Sequence, residues 1–332
     1  MVPGRPRGSL ADGRASAPSR TDGRMYLYLD AVLVRAPAWD SDGFGLGWPD
    51  LTGPDATQPS WRAWLGRAWQ VPEIAEAVEA ASPDLARQVA RISTAADAPE
   101  AMVRRTVLSV LRYLLRGTGR ATPFGLFAGV APARIDTRAA LRAGTGHQAR
   151  ARADAAWLAS VIETLEASPE LLPHLTVVAS GLAAERDGHL VIAHRPGSSA
   201  GSGPGRVSAR ATPPVMAALD AARSPLLASA LAERLATGFP AAPPAMISRL
   251  ITTLVREGFL LTGLRAPMTS PDPLAVLTGA LDAAGAAGEA ETKALRAVSD
   301  CLARHDTARD LAGGRAGRHR AAALMTDVHP TG

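Results

Sequence analysis

Residues 112–129 read Arg112-Tyr113-Leu114-Leu115-Arg116-Gly117-Thr118-Gly119-Arg120-Ala121-Thr122-Pro123-Phe124-Gly125-Leu126-Phe127-Ala128-Gly129, and here a long helix gives way to a strand. Upstream, PEAMVRRTVLSVLRYLLRGTGR (99–120) places Met102, Val103, Leu108, Leu111 and Leu115 on one broad helical face. Gly117 and Gly119 end that helix, the Thr-Pro-Phe-Gly run is a turn, and the apolar residues after it lead out as a strand. Arg112 and Arg116 stand one helical turn apart, and Arg120 follows on the departing loop. Guanidiniums at a helix C-terminus are drawn to the negative end of its dipole, each by ~0.3–1 kcal/mol. The same trio is what a phosphate or carboxylate site needs, because each planar fork makes paired charge-assisted hydrogen bonds. On physical grounds alone the two readings stand level.

Working outward, MYLYLDAVLVRAP (25–37) alternates aromatic and β-branched residues and predicts a strand. Residues 1–24 are rich in Gly, Pro, Ser and Arg without periodicity and read as a disordered basic tail. Five of the six tryptophans fall within 39–69; their irregular spacing among Gly and Pro favours packing over an aromatic binding cage. Residues 71–91 predict two helices split at Ser82-Pro83, with Ser82 capping the second. DAAWLASVIETLEAS (154–168) predicts a helix opening at Asp154.

The pattern then changes. HLTVVAS (174–180) and HLVIAH (189–194) read as strands joined by a turn over Arg186-Asp187-Gly188, and RVSAR (206–210) as a third strand. SSAGSGPG (198–205) reads as a flexible loop. TPPVMAALDAA, SPLLASALAERLA and PPAMISRLITTLVREG read as three helices, and FLLTGLR (259–265) as a closing strand. The expected fold class is α+β: helices with short antiparallel sheets and an embedded winged-helix-like unit over 171–267. Residues 25–170 precede that unit, and 268–332 form an Ala-rich helical segment whose hydrophobic pattern fades after Leu311.

Composition narrows the function classes. The 332 residues are 47% hydrophobic and 20% charged, which excludes global disorder. Lys293 is the only lysine, so 35 of 36 basic residues are arginine; genome composition accounts for that bias as well as selection does. Cys301 is the single cysteine, which excludes an internal disulfide or a multi-cysteine metal site and points to a reducing cytoplasm. No apolar run is long enough for a membrane span, and the start lacks a signal-peptide core. Strand-to-helix GxGxxG, P-loop, HExxH and GxSxG motifs are all missing; GSGPG (201–205) reads as a linker, and the seven histidines form no metal-ligand spacing, so neither a metal nor a cofactor is expected.

RGTGRATPFGLFAGV closely resembles the most distinctive segment of the lantibiotic dehydratases, which install dehydroalanine and dehydrobutyrine in ribosomally made peptides. VLVRAP (32–37) resembles the opening strand of that family, EAVEAASPDL (76–85) one of its helices, and ARADAAWL (151–158) its "R-D-WL" segment. RVSARATPPVMAALDAARSP and LVREGFLLTGLRAPMTSPDPLAVL resemble later blocks, in the same order from about Met25 to about residue 311. The resemblance implies a region that takes glutamate from glutamyl-tRNA, its co-substrate, and esterifies Ser or Thr of a precursor peptide. A separate elimination domain would then expel the glutamate. By matching motifs it implies catalytic positions at Arg116, Arg120, Thr122 and Asp154, and substrate-binding positions at Arg35, Arg112 and Arg152. For Asp154, helix capping is an equally good reading.

The resemblance also implies that the winged-helix-like unit binds the leader of the precursor peptide by strand addition. HLTVVAS, HLVIAH and RVSAR would be its sheet and MISRLITTLVREG its groove helix. The glutamylation region of the family is longer than the match, and residues 308–332 lose helical periodicity. The chain is therefore expected to be an amino-terminal portion, inactive alone, with the missing portion or a cyclase as separate partner chains and a homodimer compatible. The competing readings are a leader-binding module or scaffold without catalysis, and a winged-helix nucleic-acid binder. The last is weak, because the candidate recognition helix 244–257 offers only Arg249 and Arg256.

Overall fold

In the computed structural model, the residues described are 32–40, 42–138, 140, 148–195, 205–308 and 310–330. The basic tail, the 25–31 part of the first strand and most of the SSAGSGPG loop lie outside them. In chain order the elements begin with β1 (Val32–Pro37), α1 (Gln58–Trp69), α2 (Pro72–Ala81), α3 (Pro83–Thr94), α4 (Glu100–Gly119) and β2 (Ala128–Ala133). Next come α5 (Ala155–Glu166), β3 (Thr176–Ala179), β4 (Ala184–Arg186), β5 (His189–Arg195), β6 (Gly205–Arg210) and α6 (Pro213–Ala221). The chain continues through β7 (Leu226–Leu227), α7 (Ala228–Gly238), α8 (Pro244–Arg256) and β8 (Leu260–Thr262). It closes with α9 (Pro273–Ala283), α10 (Ala290–Thr307) and α11 (Leu311–Val328). Helices with short antiparallel sheets make it an α+β fold.

The chain divides into two compact units, 1–61 with 97–144, and 62–96 with 145–332. In the first, β1 and β2 pair antiparallel with Arg35 opposite Val130. Trp61 is buried and its indole N–H donates to the Asp50 carbonyl at 2.6 Å. The buried face of α4 differs from the expected one. It runs through Val103, Thr106, Val107, Val110, Leu111, Leu114 and Gly117, while Leu115 is 55% exposed.

The second unit has one hydrophobic core, to which α5 through α11 and their strands contribute. Ser82 caps α3 as expected, its hydroxyl accepting from the Leu85 amide. The sheets correct the sequence reading. HLTVVAS and HLVIAH are not partners: β3 lies between β7 and β8, and β5 lies between β4 and β6. The hairpin is β4–β5, turning over Asp187 (φ 52°) and Gly188 (φ 72°). Two positive φ values match the twist of a tight hairpin. The Ala-Glu-Arg of β4 has no β-branched residue, so main-chain pairing rather than propensity makes it a strand. Likewise Leu226 and Leu227, read as helix, pair with β3 before α7 begins.

The tail is a second correction. Residues 311–328 form a full helix, with the Asp310 carboxylate accepting from the Gly313 amide at 2.7 Å. Its first half meets α10 through small residues, Gly314, Gly317 and Ala321, and only its last turns pack large apolar ones, Leu324, Met325 and Val328, on the core. A side chain at Gly317 would stand 3.1 Å from the His305 nitrogen and 3.2 Å from the Cys301 carbonyl on α10. The helices approach along glycine, which a hydrophobic periodicity does not register.

Candidate functional site

The RGTGRATPFG segment lies within the first unit, and its glycines and aromatics have separate tasks. Trp39 packs its ring against Gly117, where any Cβ would overlap the indole, and its amide donates to the Gly117 carbonyl at 3.0 Å. The Arg120 amide donates to the Arg116 carbonyl at 3.1 Å and closes the helix. The chain then turns, with Gly125 at φ 50° and the Phe127 amide donating to the Phe124 carbonyl. Phe127 is fully buried and meets Trp39 edge-on at 5.3 Å, Tyr113 in a stack at 5.1 Å and Phe124 at 6.1 Å. This cluster fixes the bend.

Arg116 is anchored on it. Its guanidinium carbon sits 4.4 Å from the centre of the Phe124 ring, a cation–π contact that holds the plane of the fork. Its Nε is buried and has no acceptor among the described residues. Arg112, Arg120 and Thr122 are exposed, as is Arg35 on β1. Among the described residues none of Arg35, Arg112, Arg116 or Arg120 is ion-paired. Of the predicted trio, the fold therefore pins one guanidinium and leaves two in solvent.

Arg152 and Asp154 belong to the second unit. One Asp154 oxygen accepts from the amides of Ala156 (2.8 Å) and Trp157 (3.0 Å), so the residue does cap α5. Arg152 donates to the Pro271 carbonyl at 2.7 Å and to Asp306 at 3.0 Å. Asp306 also accepts from the Ala151 amide at 2.7 Å and lies 3.1 Å from His305 Nδ1. Burial would push the Asp306 carboxyl up, but the Ala151, His305 and Arg152 contacts together hold it below the ordinary carboxylate range. A cleft of about 260 Å³ opens there, lined by Arg150, Arg152, Asp272, Ser299, Asp306 and Thr307.

The sequence reading missed Asp306 and the Phe124, Tyr113 and Trp39 supports. The signal for Phe124 was present in the Thr-Pro-Phe-Gly run; Asp306 carried none, since its partner is 154 residues away. Among the described residues, no group of three His, Cys, Asp or Glu could hold a metal ion. No helix of the described residues is long and apolar enough to cross a membrane.

Residues 70–332 match the family described as "Lantibiotic dehydratase, N terminus", and the chain belongs to that family. Among solved structures it is similar to the tRNA dependent lantibiotic dehydratase MibB from Microbispora sp. 107891. The identity is 34% and the TM-score 0.72, over 91% of this chain and 28% of that one. It also shares its fold with TbtB, the glutamylation domain from thiomuracin biosynthesis, solved bound to 5'-phosphodesmethylglutamycin. There the identity is 21% and the TM-score 0.52, over 85% of this chain and 33% of that one. No curated protein matches the chain. The chain thus spans about a third or less of each solved relative.

Proposed function

We propose that this chain contributes the amino-terminal part of a site that transfers glutamate from glutamyl-tRNA to Ser or Thr of a ribosomally made precursor peptide. The observation that carries the reading is Arg116, a guanidinium clamped on Phe124 with a buried N–H that lacks an acceptor among the described residues. Such a cation is pre-positioned for a phosphate or a carboxylate, because its orientation is fixed before the anion arrives. Arg120 and Arg35 supply further forks for the nucleotide end or the glutamyl carboxylate, Thr122 orients either one, and Arg112 adds a substrate-binding cation one turn back along α4. For Arg152 and Asp154 of the second unit the proposed part in glutamylation is separate, Asp154 acting through the oxygen its capping role leaves over.

In the transfer, the peptide hydroxyl oxygen attacks the glutamyl ester carbonyl. The bond to the ribose oxygen breaks, and the hydroxyl proton passes to that leaving oxygen. The new ester makes the later elimination feasible, since a carboxylate leaves where hydroxide would not. This chain spans about a third or less of the two solved relatives, and we assign no part of the elimination to its residues.

A second reading rests on β4–β5–β6, whose outer strands β4 and β6 offer main-chain edges. We propose that 171–267, in which three helices accompany the short strands, forms a winged-helix-like unit that takes the leader along such an edge. The chain would then capture precursor peptide even without catalysis.

The test is to incubate the purified chain with a cognate precursor and glutamyl-tRNA, alone and with added dehydratase polypeptides from the same source, and to read glutamyl adducts by mass spectrometry. Adducts in either case support the transfer site, and loss of adducts in Arg120→Ala ties them to the bend. Leader binding without adducts under both conditions favours the module.

A further inference from the structure

The sequence from Met102 through Ile135 contains six arginines and no acidic residue. Arg105, Arg112 and Arg116 of α4 are spaced by seven and four residues, which puts them within about 40° of one another around the helix axis. The row is roughly 16 Å long at the helical rise. It faces away from Val103, Val107, Val110 and Leu114, which are buried. Arg105 and Arg112 are exposed, and among the described residues neither is ion-paired. Arg104 is also exposed but sits about 100° from Arg105 on the helix.

We propose that this row is a phosphate track, on which Arg105 and Arg112 grip the sugar–phosphate backbone of a structured RNA away from the end that reaches Arg116. The inference rests on the glutamyl-tRNA reading above and names the surface that holds the body of that RNA. A rigid helix that repeats guanidiniums along one line, with no carboxylate paired to them among the described residues, matches a ligand whose charges also repeat along a line. An acidic membrane fits less well. An interfacial helix needs a free apolar face to sink into lipid, and the apolar face of α4 is already buried.

The test uses the full chain and an unacylated glutamate tRNA transcript, with affinity measured by fluorescence anisotropy across a salt series. Arg105→Ala/Arg112→Ala should weaken binding about tenfold or more and reduce the slope of log K against log salt by about 2. Arg105→Lys/Arg112→Lys should keep most of that slope, which separates charge from misfolding. Arg104→Ala, which removes one charge off the row, should weaken binding less than Arg105→Ala. Equal losses from Arg104→Ala and Arg105→Ala would reduce the track to net charge and overturn it. If the wild type binds tRNA and the double alanine variant binds equally well, the track fails while the transfer reading stands. If the wild type does not bind tRNA, both fail. Binding to phosphatidylglycerol vesicles that is lost in the double variant, with tRNA binding unchanged, would assign the row to a membrane surface and refute the RNA.

Discussion

The arginines that hold the second unit together and those around the bend of the first have opposite surroundings. In the second, Arg265 holds buried Glu166 with two hydrogen bonds of 3.0 and 2.6 Å, and Thr262 donates to the same carboxylate. Arg315 and Arg318 donate to buried Glu76 at 2.6 and 2.5 Å and tie α2 to α11, and Arg152 closes on Asp306. In the first unit, Arg35, Arg105, Arg112, Arg116 and Arg120 have no carboxylate partner among the described residues. A guanidinium that a carboxylate has neutralised holds helices together and is spent for recognition. One left bare contributes little to folding and keeps its charge for a ligand. The residue type is the same throughout; what surrounds it decides its work.

The contrast would break first at Glu76. Glu76→Ala removes the carboxylate both arginines share, leaving Arg318 without its partner and Arg315 with only Glu79 at 3.3 Å. The expected loss is roughly 2–4 kcal/mol of folding stability, trimmed because both arginines keep some contact with water. Urea denaturation followed by circular dichroism would measure it. A change below about 0.5 kcal/mol would mean the pairs of the second unit are as dispensable as bare surface charges.

A step smaller is Gly117→Ala in the first unit, where packing rather than charge does the holding. The added methyl must displace the Trp39 ring, at a cost of about 1–3 kcal/mol. It should also disturb the bend that places Arg116, so a fall in tryptophan fluorescence anisotropy should accompany weaker tRNA binding. Unaltered tRNA binding would uncouple the aromatic cluster from the arginine it is argued to aim.

The pH dependence sharpens the same contrast. Burial would raise the Glu76 carboxyl, but its bonds to Arg318 and Arg315 hold it below the usual range. A carboxyl with a lowered folded-state pKa stabilises the fold above its unfolded value, near 4.3, and loses that contribution as pH falls through the folded value. The urea midpoint should therefore hold steady from neutrality to about pH 5 and drop at lower pH. Glu76→Gln should start lower and drop less. A parallel fall in wild type and variant would show that other carboxylates control acid unfolding.

These differences also explain what was legible in the sequence. The Ser82 break, the Asp154 cap and the end of α4 rest on chemistry within four residues, and each stands where the sequence places it. The pairing of β3 with β7 and β8, the strand nature of β4 and the glycine seam of α11 depend on distant partners, so local pattern could not show them. At the candidate site, the arginines and the Thr-Pro-Phe-Gly turn were legible as residue types at a spacing. Which guanidinium is clamped depends on Phe124 folding back over Arg116, and the clasp on Arg152 depends on Asp306, supplied from another helix.

The smallest expected effect on folding is the most discriminating. Arg120→Ala removes an exposed guanidinium with no ion-pair partner among the described residues, while the Arg120 amide still closes α4. Stability should stay within about 0.5 kcal/mol of wild type, since such surface positions carry little. Leader-peptide affinity should stay within about 1 kcal/mol, because sites without shared partners behave independently. Glutamyl transfer should nevertheless be abolished. Parallel loss of transfer and stability would make Arg120 part of the scaffold, like Arg318, and the division between bare and neutralised arginines would no longer separate recognition from folding.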